Sequence, residues 1–264
     1  MTHDSERLDA MILAGAAQGA LDPFLEGTGV DKKALLPILG RPMVAYVEEA
    51  LRASGRVNRI VAIGLDPEDA VTFSGPVERI PSQGGIIKNI LSAMAYLRDT
   101  GSVSPYFLEA SSDIPLLTGD VVSRFVDACL AKGGDLIYSV VEKQQIERLF
   151  PGSGRSYAHL RDGYFAGGDM FMVRRDIPAS KGKIFEELAA ERKNAIKMAR
   201  VLGPGLLIAV AFRRLTLAGM ERRVSKILGL EGRVVNSPDP ELAMDVDKPH
   251  QLEMVTRYME RMQQ

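Results

Sequence analysis

The segment MVAYVEEALRASGRVNRIVAI, Met43 to Ile63, holds a helix pattern and a strand pattern separated by a glycine. Val44, Val47, Ala50 and Leu51 recur at the three- and four-residue spacing that lines one helix face, so Met43 to Ala53 reads as an amphipathic helix. Gly55 stops it. Arg59 to Ile63 (RIVAI) is an apolar run of strand length, ended by Gly64 and Pro67. The alternation continues in both directions. Upstream, Ala10 to Leu13 (AMIL) reads as a buried strand ending at Gly15. Downstream, Val77 to Ile80 reads as a short strand, and Gly84-Gly85 opens a helix through Arg98 with Ile87, Ile90, Leu91, Met94 and Leu97 on one face. Tyr106 to Ala110 (YFLEA) is the next strand and runs into Ser111-Ser112-Asp113. Thr118 caps a helix from Asp120 to Ala131, and Asp135 to Val141 is another strand. Strand and helix in alternation predict an α/β chain, a mostly parallel sheet with helices on both faces in three layers. In such sheets ligands bind beyond the carboxyl ends of the strands, which singles out the loops after Leu13 and Ala110.

From about residue 142 to 230 the pattern loosens into an expected elaboration of the same domain, which is read as spanning 1–264. A polar loop, PGSGRSYAHLRDG (151–163), is followed by Gly167-Gly168-Asp169 and a strand from Met170 to Val173. Helices are expected from Lys183 to about Ala199 and from Gly205 to Arg213, the latter containing the longest apolar run, Leu206 to Phe212. The chain returns with strands at Arg233 to Val235 and Ala243 to Val246. A helix from Pro249 to Met262 closes it, with proline suitably placed in the first turn.

Lys and Arg number 33 against 34 Asp and Glu, a net charge of -1 in 264 residues. So balanced a chain has no global field for nucleic acid or an anionic membrane, and neither is expected as a partner. One cysteine, Cys129, can form neither an internal disulfide nor a thiolate metal cluster, which favours the cytoplasm. The polar, acidic start MTHDSERLDAMILAG does not read as a secretory signal, and no apolar run nears the ~20 residues of a membrane span.

Four places can carry chemistry. Leu13-Ala14-Gly15 offers small residues past a strand, where backbone N–H groups can approach an anion; on its own it reads more often as a structural turn. Lys32 and Lys33 precede Ala34-Leu35-Leu36-Pro37-Ile38-Leu39-Gly40-Arg41-Pro42 and can reach phosphates held by that loop, or form an exposed charged loop. Asp113, at a strand's carboxyl end, is either a ligand for a hard cation such as Mg²⁺ or a turn cap. Asp245 and Asp247, two apart on an expected strand, point the same way, and paired carboxylates need a compensating cation; Asp247 alternatively caps the last helix. On the polar loop, Arg155, His159 and Arg161 can meet an anionic acceptor, with Gly168 and Asp169 placing backbone beside it.

Taken in order, LAG, DKKALLPILGRPM, SSDIPLL, GGDMF and DVDKP resemble the MobA-like NTP transferases, nucleotidyltransferases with a glycosyltransferase-A-like fold. The resemblance covers nearly the whole chain. It implies a nucleotide-diphospho-sugar-transferase-like fold and Mg²⁺-dependent transfer of an NMP unit from an NTP to a small anionic or hydroxyl acceptor, a sugar phosphate, alcohol phosphate or molybdopterin-like compound, with release of pyrophosphate. It also implies that Leu13, Ala14 and Gly15 wrap the nucleotide and Gly84 and Gly85 lie near the base. Lys33 would contact the triphosphate, Asp113 would hold the metal, and Asp245 or Asp247 would supply its second ligand. One departure stands out: Gly15 is followed by Ala16-Ala17-Gln18-Gly19-Ala20, with no Arg or Lys until Lys32 in place of the family's loop arginine. Lys32 is the nearest substitute. That departure leaves open a nucleotide-binding regulatory protein that has lost turnover, and the fold also accommodates a glycosyltransferase using a nucleotide sugar.

Overall fold

Ala10 and Ile12 pack to one side of the first strand, β1 (Leu8–Leu13), and Met11 to the other; all three are fully buried. A strand buried on both faces needs a helical layer on each, and the computed structural model, which describes residues 7–15, 22–183, 185–186 and 215–263, supplies both. After β1 come a two-stranded ribbon, β2 (Pro37–Ile38) and β3 (Arg41–Pro42), and α1 (Met43–Ala53). Then follow β4 (Val57–Ile63), β5 (Glu78–Ile80), α2 (Ile86–Asp99), β6 (Tyr106–Ser111), α3 (Gly119–Lys132) and β7 (Leu136–Glu142). The second half contributes α4 (Lys143–Leu149), β8 (Ala158–Leu160), β9 (Gly163–Arg174), α5 (Leu217–Leu228), β10 (Gly232–Ser237) and α6 (Pro249–Met262).

The main sheet runs β10-β7-β9-β6-β1-β4-β5, with β8 added to β9. It is mixed and mostly parallel: β1 pairs in parallel with β4 and β6, β4 with β5, and β7 with β10, whereas β9 is antiparallel to β6, β7 and β8. One core joins α1 and α3 to the sheet through Val44, Leu51, Val122 and Phe125; the other joins α2 through Ile90, Met94 and Leu97. A third cluster ties α6 to the ribbon and places Met244 and Val246 against Leu36, Ile38 and Phe150. Fully burying side chains of this size stabilises by about 1.5–3 kcal/mol each, which is what anchors the acidic segment between them.

Three expectations need correction. The stretch 151–163 is not wholly loop, because Ala158–Leu160 pairs with Gly163–Phe165 in a hairpin. Ala243 to Val246 is not a strand. Pro240 begins a 3-10 turn through Ala243, and the next residues form no strand and are pinned by Val246 N–H donating to the Asp113 carbonyl at 2.9 Å. The alternation survives without the ladder: Met244 and Val246 are fully buried, and Asp245 and Asp247 turn the other way. β9 is also far longer than Met170 to Val173 and lies inside the main sheet. α5, not anticipated, carries the ordinary signals: Thr216 caps its first turn and Gly229 closes it in the left-handed region. The residues Ala16 to Ala20, the expected helix from Gly205 to Arg213 and most of that from Lys183 lie outside the described residues. Among the described residues no helix is long and apolar enough to cross a membrane.

Candidate active site

The carboxyl ends of β1, β4 and β6 meet at one corner. Ala14 N–H donates to the Ile63 carbonyl at 2.9 Å, and Ser112 N–H donates to the Leu13 carbonyl at 3.2 Å, lacing the three loops together. Gly64 has φ +98, and a Cβ there would collide with Gly15 Cα, so this corner closes only with glycine. Across from it, Asn89 of α2 accepts from Gln83 N–H at 2.6 Å and holds the turn that carries Gly84 and Gly85 into the helix.

Asp113 follows β6 directly. Ser111 Oγ donates to its Oδ1 at 2.6 Å and Lys33 Nζ to its Oδ2 at 2.7 Å. Lys33 also donates to Asp247. Asp113, Asp245 and Asp247 each bring one carboxylate oxygen within 4.8 Å of the others. Burial alone would lower the Lys33 ammonium, but Asp113 and Asp247 outweigh it and hold the lysine well above its ordinary value. Asp245 pairs with Arg155, whose guanidinium also lies 3.7 Å from Asp169. Burial and the nearby Asp113 push the Asp169 carboxyl up to about 7, against the pull of Arg155. Gly168, beside it, leaves room for Ser139, whose hydroxyl donates to the Met170 carbonyl at 2.7 Å; a Cβ at Gly168 would collide with that hydroxyl.

Leu13, Ala14, Gly15, Lys33, Gly84, Gly85, Asp113, Gly168 and Asp169 all line a single cleft of about 1360 Å³. Asp245 and Asp247 do not line it but join Asp113 in the acidic cluster. The bland role considered for Asp247 does not apply: the residue at the N-cap of α6 is Lys248, and no side chain caps there. Lys32 is the exception among the expected residues. Its Nζ is held by Asp66 at 2.5 Å and Asp69 at 2.6 Å, it is buried, and it does not line the cleft. His159 stacks on Tyr164 on the β8–β9 hairpin, and Arg161 is exposed; neither lines the cleft.

Among the lining residues that escaped the sequence reading are Lys88 in the first turns of α2, Glu109 on β6, Tyr138 on β7 and Phe171 on β9. A charge amid the apolar strand YFLEA was the available signal for Glu109.

The three carboxylates are an all-oxygen donor set of the kind that hard divalent cations take, with waters and phosphate oxygens completing the shell. Chemically, the cleft joins a small-residue corner that admits backbone-to-phosphate contact, a fixed lysine charge, and acids able to hold such a cation.

Residues 12–203 match the MobA-like NTP transferase domain. Among solved structures, a hypothetical transferase from Thermus thermophilus is 35% identical, with a TM-score of 0.78 over 93% of this chain and 99% of its own. CMP:2-keto-3-deoxy-manno-octonic acid synthetase, in complex with CTP, superposes with a TM-score of 0.59 at 14% identity, covering 97% of this chain and 99% of that one. 4-Diphosphocytidyl-2C-methyl-D-erythritol synthase from Anaerococcus prevotii gives 0.56 at 9% identity, over 98% of each chain. At those identities the likeness speaks for the fold alone. No curated protein matches the chain. With the family match spanning well over half its length, the chain belongs to the MobA-like NTP transferases, a nucleotidyltransferase family.

Proposed function

We propose that this chain transfers an NMP unit from an NTP to a small anionic acceptor and releases pyrophosphate. The observation that carries the reading is the convergence of Asp113, Asp245 and Asp247 with Lys33 at the edge of the cleft, although the acids are more than 130 residues apart in sequence. An acceptor oxygen attacks the α-phosphorus, the bond to the bridging β-oxygen breaks, and pyrophosphate leaves with that electron pair. Little covalent help is needed, and positioning and charge neutralisation supply most of the acceleration. Asp113, Asp245 and Asp247 would hold Mg²⁺, which when bound offsets phosphate charge.

The chain's own groups do the rest. The corner at Gly15 and the Gly84-Gly85 turn admit the nucleotide close to backbone N–H groups. Lys33 supplies a permanent positive charge against the leaving phosphates. Gly168 and Asp169 stand on the acceptor side, and an Asp169 carboxyl near 7 suits removal of a proton when the acceptor is a hydroxyl. With Lys32 engaged elsewhere, Lys88, a base that lines the cleft, takes the work of the absent loop arginine in this reading.

The test is pyrophosphate release by the purified chain with Mg²⁺, each of the four NTPs, and a panel of phosphorylated sugars and alcohols. Release that needs both an acceptor and Asp113 supports the reading. NTP binding without release across the panel favours a regulatory nucleotide-binding protein. No NTP binding ends the proposal.

A further inference from the structure

Three neighbouring strands place an acid and two aromatic rings in one row. Glu109 on β6 is in register with Phe171 on β9, and Phe171 is in register with Tyr138 on β7. All three line the cleft, on the face that also carries Asp169. The hydroxyl of Tyr138 lies where a Cβ of Gly167 would stand, so the ring reaches across β9 toward Asp169. Val234 of β10, in register with Tyr138, and Leu136 extend the row with apolar wall.

Glu109 is the anomaly in this floor. It is 3% exposed, and among the described residues no donor hydrogen-bonds its carboxyl and no basic side chain pairs with it. The charges acting on it, Asp169 and Asp113, are both of its own sign, and with burial they push its carboxyl well above the ordinary value. A buried acid facing a cleft without a partner is a group set aside for a ligand or a standing cost. Aromatic faces attract cations through the ring quadrupole, most strongly where water is excluded. An acid at the end of a row of two rings, beside more acids and against apolar walls, is complementary to a bulky cation with a hydrocarbon surface.

We propose that the acceptor is a phosphorylated amino alcohol whose organic ammonium group sits on the floor made by Glu109, Phe171 and Tyr138. Its phosphate then points toward the carboxyl end of β6, where Lys33 and Asp113 stand. This identification of the acceptor rests on the nucleotidyl-transfer reading above.

The experiment compares choline phosphate with its uncharged isostere, 3,3-dimethylbutyl phosphate, by calorimetry on the full chain. NTP binding is measured on the same samples. We expect choline phosphate to bind at least about tenfold more tightly. Glu109→Gln, which keeps the size and polarity of the side chain, removes its capacity for negative charge and should fold, brings the two ligands within about threefold, and so does Phe171→Leu. NTP affinity does not change in either variant. Equal binding of the two ligands, binding of neither, or full discrimination in Glu109→Gln overturns the inference. Discrimination with no NTP binding and no pyrophosphate release preserves the cation site and removes the transfer reading; the reverse removes only the cation site.

Discussion

Replacing Asp113 with asparagine separates a catalytic carboxylate from a structural cap. The side chain is attracted by Lys33 at 2.7 Å and repelled by Asp245 and Asp247, each with an oxygen within 4.8 Å. At an effective dielectric constant of about 20, unit charges at these distances interact by about 6 and about 3.5 kcal/mol respectively. One attraction of about 6 kcal/mol is thus set against two repulsions totalling about 7 kcal/mol, and the single asparagine oxygen can keep one of the two bonds that Ser111 and Lys33 donate to the separate carboxylate oxygens. The charge terms nearly cancel, so Asp113→Asn should alter stability by no more than about 1–2 kcal/mol, a shift of a few degrees in melting temperature for a chain of this size. Transfer behaves differently. Removing a single preorganised electrostatic contact costs on the order of 10²–10³ in rate, and here the charge holding the metal goes with it. Thermal unfolding in EDTA, paired with pyrophosphate release, reads both quantities. A variant that melts near wild type and is at least a hundredfold slower fits. Wild-type rates, or loss of the fold with no specific loss of rate, would show that the aspartate serves its turn and not the reaction.

Other changes follow from the same geometry. Lys33→Met leaves three carboxylates around the site with Arg155 as their remaining nearby cation; in EDTA it should melt lower than wild type, Mg²⁺ should recover most of the difference, and transfer should stay impaired. Gly64→Ala forces a Cβ into Gly15 at a positive φ, and should cost about 1–3 kcal/mol in a denaturant titration and weaken NTP binding. Met244→Ala opens the buried cluster beneath the acidic segment, with an expected loss of about 2–5 kcal/mol and a lower affinity for divalent cations. Because the folded chain raises the Glu109 carboxyl, it binds more protons than the unfolded chain above pH 4.5; that contribution to stability therefore falls as pH rises from there and levels off once Glu109 ionises. Glu109→Gln should remove this decline, so its melting temperature relative to wild type should climb with pH.

Most of the sheet is legible because parallel strands covered on both faces are rich in apolar residues, as AMIL, RIVAI and DLIYSVV are. Met43–Ala53 and Pro249–Met262 match their expected bounds because Gly55 and Pro249 mark the ends chemically. The hairpin strand Ala158–Leu160 is hidden since its pairing comes from β9, and three residues are too few for their alternation to be read. The segment around Asp245 shows why alternation and strand are separable: burial of Met244 and Val246 orients the segment without a ladder, whereas a strand needs a partner, and Pro240 sends the chain into a turn first. Adjacent Lys32 and Lys33 look alike in sequence. Lys32 is extended, so the two side chains diverge, one to Asp66 and Asp69 and the other to Asp113 and Asp247. Glu109 lies in a run whose function is burial, and only strand register places it beside Phe171 and Tyr138.

The most direct measurement is a titration of Mn²⁺, read by electron paramagnetic resonance, into the wild-type chain and into Asp113→Asn and Asp245→Asn, each with a saturating NTP. The account predicts a tight protein-bound manganese in the wild type and a loss of affinity of at least about tenfold in both variants, despite their distance in sequence. Manganese bound equally well by all three proteins would contradict it.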